Sequence, residues 1–181
     1  MTTLFDNYFT YVADTEPPLI FHRWSMIGCV GALLGRQYYF PHGDFRIFPN
    51  QYIQLIGDPG TRKSTAIKMA VKILGAAGYD KFAADRTSKE KFLIDLEGRI
   101  DDDGKMIASS AMEDLLGGEG QPREVCIAAD EFNQFVGHGN LEFLSLLGTL
   151  WDFDDETKPF SQRLKQSRSV SIWQPTVTLV S

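Results

Sequence analysis

Cysteine is scarce in this chain: there are two in 181 residues, and they form no C-x-x-C pair. Cys29 and Cys126 each sit among apolar neighbours, so they read as buried reduced thiols of a cytoplasmic protein rather than a disulfide framework. Histidine is equally sparse. His22, His42 and His138 are scattered without metal-ligand spacing and read as surface or packing residues. Nowhere does an apolar run reach the ~18 residues that suggest a membrane span, so no membrane partner is expected. The stretch from Met1 to Asp14 has neither a basic start nor an apolar segment, which argues against a signal peptide. Positive charge is in deficit, with 18 Lys and Arg against 24 Asp and Glu and a net charge of −6. A domain-wide basic field is therefore absent. That argues against a simple DNA-coating protein but leaves room for a motor that grips with one small basic loop.

What is present fits a globular fold. Apolar residues make up 43% and charged residues 23%, a balance that disordered chains do not show. The length suits one domain with one core. Leu4 to Val12 reads as a first helix, and Pro17-Pro18 breaks the chain after it. Ile20, Trp24, Ile27, Gly31 and Leu34 recur at helical spacing and predict a second helix over Ile20 to Gly35. Two short strands follow, Gln37 to Phe40 and Phe45 to Phe48, with Pro41 to Asp44 as the turn. Residues 1–49 thus read as an N-terminal helical cover with short strands, and residues 50–181 as the core.

Within that core, Gln51 to Ile56 is an apolar strand. Ile67, Ala70, Val71 and Leu74 line one face of a helix that ends near Gly75 or Gly78. Lys81 to Ala84 reads as a further strand, and Thr87 with Glu90 as a capping box. Asp101-Asp102-Asp103-Gly104 reads as a solvated turn, Lys105 to Ser109 as a further strand, and Ala111 to Leu116 as one or two helical turns. Glu124 to Ala129 is a second apolar strand. Asn140 caps a helix whose apolar face carries Leu141, Leu144, Leu147 and Trp151, and Thr176 to Val180 is a last strand.

The strongest chemical signal is Gly57-Asp58-Pro59-Gly60-Thr61-Arg62-Lys63-Ser64-Thr65, fed by a strand and followed by an amphipathic helix. Such a loop converges backbone N–H groups on a polyphosphate, and the positive end of the following helix adds to the attraction. Gly57 and Gly60 permit the tight fold. Lys63 supplies a mobile cation for the terminal phosphates, and the Ser64 hydroxyl is an oxygen ligand for Mg²⁺. Arg62 departs from the usual G-x-x-x-x-G-K-[ST] pattern, standing where the second glycine normally lies. It keeps the N–H and adds a positive charge, but lacks a glycine's freedom.

The second signal is the apolar strand Val125 to Ala129 ending in Asp130-Glu131. An acid at the C-terminal end of a parallel strand faces the ligand crevice. Asp130 is assigned to the magnesium ion and Glu131 to the attacking water. A base for water favours hydrolysis over transfer to an acceptor. A third feature is open: Lys158, Arg163, Lys165 and Arg168 lie between the Leu141 to Trp151 helix and the last strand, where Gln162 to Ile172 reads as a basic hairpin or loop. They read either as a nucleic-acid contact or arginine donor, or as a solvated surface balanced by Asp152, Asp154, Asp155 and Glu156.

Phe48-Pro49-Asn50-Gln51-Tyr52-Ile53, running on through the glycine loop to Ala66, resembles a family of phage, plasmid and bacterial P-loop proteins, often joined to primase modules or helicase-like. The Thr87-Ser88 helix start, Ala129-Asp130-Glu131-Phe132 and Gln174 to Leu179 look similar as well. The resemblance implies a three-layer α/β fold with a mainly parallel sheet, of the additional-strand RecA or AAA+ kind. It implies an ATPase that uses ATP and Mg²⁺, works on single-stranded DNA in replication, and assembles as a ring or filament. Lys63, Ser64, Asp130 and Glu131 match its motif positions. Ser181 stands where such enzymes carry a polar sensor, and the later strand and arginine finger lie beyond the given chain, which therefore looks truncated. Another ATP-driven DNA machine (packaging, partitioning or defence) and a non-hydrolysing nucleotide-dependent module are the rival expectations.

Overall fold

In a computed structural model, residues 2–98, 122–164 and 168–181 are described. The readings for Asp101 to Gly104, Lys105 to Ser109, Ala111 to Leu116 and Lys165 fall outside them. Among the described residues no helix is long and apolar enough to cross a membrane.

The centre is a parallel sheet in the order β3–β7–β4, formed by Tyr52–Ile53, Thr176–Val180 and Glu124–Ala128. Phe82 bridges Cys126 in parallel on the outer side of β4, so the Lys81 to Ala84 segment contributes a single bridge rather than a strand. Strand β7, last in the chain, lies between the two earlier strands. All five of its residues are buried, as expected for a strand covered on both faces. Its side chains alternate between two cores. Val177 and Leu179 pack in one cluster with Ile127 and Ala129; Val180 packs in the other with Ile53, Leu55 and Ala128.

On one face lie helix α2 (Leu19–Leu34) and helix α3 (Lys63–Ala76), with α1 (Leu4–Val12) outside them. On the other lie α4 (Lys89–Glu97), α5 (Phe132–Val136), α6 (Leu141–Trp151) and the antiparallel hairpin of β5 (Phe160–Arg163) and β6 (Ser169–Ile172). The arrangement is mixed α/β with a parallel three-stranded sheet.

Several local expectations shift. The stripe expected to bury α2 does so only in part: Gly31 is buried, but Ile20 and Trp24 are exposed, and Phe21, His22, Ser25, Met26, Gly28, Cys29 and Ala32 are buried as well. The helix is wedged between α1 on one side and the sheet with α3 on the other, so no single apolar stripe describes it. Its small residues allow close contact. A methyl on Gly28 would stand 2.4 Å from Val180 Cγ2, and one on Gly31 would stand 2.3 Å from the Pro49 carbonyl oxygen. In α6 the buried residues are Phe143, Leu146, Leu147 and Leu150, and Leu141, Leu144 and Trp151 face outward. The rings of Phe92, Phe135 and Phe143, with centroids 5.5–6.1 Å apart, set that phase. Ser88, not Thr87, caps α4, accepting from Lys91 N at 3.1 Å. The first hairpin pairs β1 (Phe40–His42) with β2 (Phe45–Ile47), so its turn shrinks to Gly43-Asp44.

Candidate functional site

The sheet register brings the two sequence motifs to one edge. Ile53 and Ala128 both pair with Val180 and are therefore level. Leu55 N continues the ladder to Ser181 O at 2.6 Å, and Ala129 N donates to Val180 O at 3.0 Å. Gly57 opens the loop just beyond β3, and Asp130 follows just beyond β4. With one strand between them, β3 and β4 run about 10 Å apart. The loop and the acids thus stand side by side at the C-terminal ends of parallel strands.

The loop is built by local chemistry. Pro59 followed by Gly60 at φ 86° fits a type II turn, closed by Thr61 N donating to Asp58 O at 3.3 Å. The Thr61 hydroxyl donates to the same carbonyl at 2.8 Å. A methyl on Gly57 would come within 3.0 Å of Phe21 Cζ, so α2 backs the loop closely. Lys63 folds over it, donating from Nζ to Gly57 O at 2.6 Å. Ser64 and Thr65 follow in the first turn of α3, whose N-terminus has no side-chain cap. Its leading N–H groups face the loop as the positive end of the helix dipole.

Arg62 resolves the departure from the pattern. Its backbone sits at φ 59°, ψ 29°, the left-handed region that the usual glycine would enter freely. The arginine adopts the shape the loop demands, and its Nε pairs with Glu16 at 2.6 Å, in the α1–α2 connection.

At the end of β4, Asp130 pairs with Lys68 Nζ at 2.7 Å. That hydrogen bond, with the carboxylate charge next in weight, holds the Lys68 ammonium above its ordinary range. Glu131 starts α5, and its carboxylate accepts from the Gln134 side chain, whose carbonyl accepts from Arg86 Nη2 at 2.6 Å. Lys68, Asp85, Arg86, Asp130, Glu131 and Gln134 line a cleft of about 410 Å³ beside α3. Asp130 offers a carboxylate oxygen of the kind a hard divalent cation takes, and it is paired with Lys68; Ser64, at the start of α3, offers a hydroxyl but does not line this cleft.

Sequence patterns did not single out Lys68, Arg86, Gln134 or Glu16. The i, i+3 spacing of Glu131 and Gln134 is a usable signal. The contacts of Arg86, Lys68 and Glu16 are long-range and leave no local pattern. The basic segment forms the hairpin of the two alternatives. Lys158 pairs with Asp155 at 3.6 Å and Arg168 with Glu97 at 2.8 Å. Asp154 and Glu156, expected to balance that segment, instead hold Arg36 and Arg46 of the N-terminal part. Cys29 and Cys126 are both buried free thiols, pushed well above their usual range by burial, with Cys29 at about 12. Compared with protein-family models, curated proteins and solved structures, the chain matches none.

Proposed function

We propose that this domain binds Mg-ATP on the Gly57 to Thr65 loop and hydrolyses it. The observation that carries this reading is the common edge: a loop of backbone donors with a lysine lies one strand away from a pair of adjacent carboxylates. Main-chain N–H groups of the loop and the start of α3 hold the phosphates. Lys63 leaves the Gly57 carbonyl and turns to the terminal phosphates. Arg62 adds a second cation at the loop. Ser64 and Asp130 hold the magnesium ion, which neutralises charge on the phosphates when bound. Glu131 orients the attacking water and accepts its proton.

Lys63→Ala should abolish nucleotide binding, measured with a fluorescent ATP analogue. Glu131→Gln should keep binding and slow turnover by about a hundredfold or more, measured as phosphate release. Normal turnover by the second variant would remove Glu131 from its role.

Work on single-stranded DNA, in a ring or filament, rests on the resemblance of Phe48 to Ala66 and the other quoted segments to phage-type helicase proteins. The pairing of Arg168 with Glu97, and of Lys158 just before the hairpin with Asp155, disfavours this segment as a free basic track. Stimulation of hydrolysis by single-stranded DNA tests the DNA part, and strand separation distinguishes a helicase from another ATP-driven DNA machine.

A further inference from the structure

Gln134 is the third residue of α5, and its amide spans two charged groups that line the cleft. The side-chain oxygen accepts from Arg86 Nη2 at 2.6 Å, and the side-chain nitrogen donates to Glu131 Oε2. Glu131 and Gln134 stand three residues apart at the start of α5, and Arg86 reaches in from the segment before α4. An amide can be turned end for end without changing its shape. Here the neighbours allow one orientation, because a guanidinium only donates and an ionised carboxylate only accepts. Turned over, the amide would set nitrogen against guanidinium and oxygen against carboxylate. Arg86 therefore dictates which end of Gln134 meets Glu131.

We propose that Gln134 is a positioning residue for Glu131, with Arg86 as the lock on its orientation; this rests on the ATPase reading and deepens it. The Glu131 side chain is exposed, and an exposed carboxylate samples several rotamers unless something holds it. A base must sit within hydrogen-bond reach of the water it activates. A displacement of about 1 Å can lower a rate by about a hundredfold. A merely local role in closing the first turn of α5 does not require this contact, since Gln134 N already donates to Glu131 O at 3.0 Å.

Phosphate release and binding of a fluorescent ATP analogue are measured for the wild type, Gln134→Leu, Arg86→Ala and the double variant. Gln134→Leu is expected to lower kcat about tenfold to a hundredfold while analogue affinity stays within about threefold. Arg86→Ala moves the same way, and the double variant falls no further than Gln134→Leu, because the two act in series. Unchanged kcat in Gln134→Leu, or losses that multiply in the double variant, overturns the proposal. A second measurement needs no turnover. The side-chain amide resonances of Gln134 in the nucleotide-free protein should shift in Glu131→Gln and in Arg86→Ala, and unmoved resonances overturn the linkage. Absence of Lys63-dependent hydrolysis in the wild type sinks the ATPase reading separately.

Discussion

Arg62 holds a conformation that costs a non-glycine residue about 1 kcal/mol or more. Two substitutions separate the backbone from the side chain. Arg62→Ala keeps the strain and loses the guanidinium; Arg62→Gly loses both. The glycine variant should therefore be the more stable of the two by about 1 kcal/mol, read from urea unfolding. Equal stabilities would mean that the left-handed backbone is not what this position demands. His22 is a second informative residue. The Thr15 hydroxyl donates to Val12 O at 2.7 Å, so at 2.9 Å from His22 it must accept from Nε2–H. Nδ1 is then left to accept from the Tyr8 hydroxyl at 3.1 Å. The ring is thus held neutral, and burial lowers its pKa below the ordinary 6.5. In this window the unfolded chain binds the proton more readily than the folded one. The contribution of His22 is therefore complete above pH 6.5 and declines as pH falls below it. Thermal midpoints between pH 8 and 5 should show that decline in the wild type. His22→Gln should be less stable overall and lack that component.

Gly28 of α2 and Gly148 of α6 have opposite consequences. Gly28 faces Val180 and Ile53 with no room for a methyl, so Gly28→Ala should destabilise by about 1–3 kcal/mol through overpacking. Gly148 has nothing within 4 Å of the position a methyl would take, so Gly148→Ala should stabilise by about 0.5–1 kcal/mol through helix propensity. Denaturant midpoints of the two variants should move in opposite directions. Chain pattern alone does not separate these glycines, because the difference lies in what the rest of the molecule brings against them. Much else was legible. The bounds of α1 and β7 follow from local punctuation and apolar runs, and the glycine loop and acidic strand end announce the candidate site through residue types that few other roles require. Phase was harder. The stripe Leu141, Leu144, Leu147 and Trp151 is as helical as the observed one, and only the packing of Phe143 against Phe92 and Phe135 decides between them. Asp130 finds its partner on α3 and Glu131 finds one on α5, while Arg86 joins only through Gln134; the Lys68 and Arg86 contacts lie outside any short window.

Across the whole molecule, Arg36 ties the N-terminal part to the core at the opposite end of the strands from the candidate site. Its side chain is nearly buried and donates to Phe153 O at 2.9 Å and Pro175 O at 3.3 Å. It also pairs with Asp154 at 3.1 Å and stacks 3.9 Å from the centre of the Phe48 ring. Arg36→Ala would leave these carbonyls without the guanidinium and should destabilise the fold by about 2–4 kcal/mol, measured by chemical unfolding. A loss below about 0.5 kcal/mol would make the contact a decoration of the surface. The position of β7 has a consequence in time. It is the latest-made of the three central strands, yet it separates the other two. While a nascent chain is still emerging from the ribosome, the loop and the carboxylates have no common frame until residues 176–180 arrive. Pairing so distant in sequence is slow to form. Chains stalled before Thr176 should therefore lack nucleotide affinity and yield quickly to protease, and both properties should change together once that strand is free to insert.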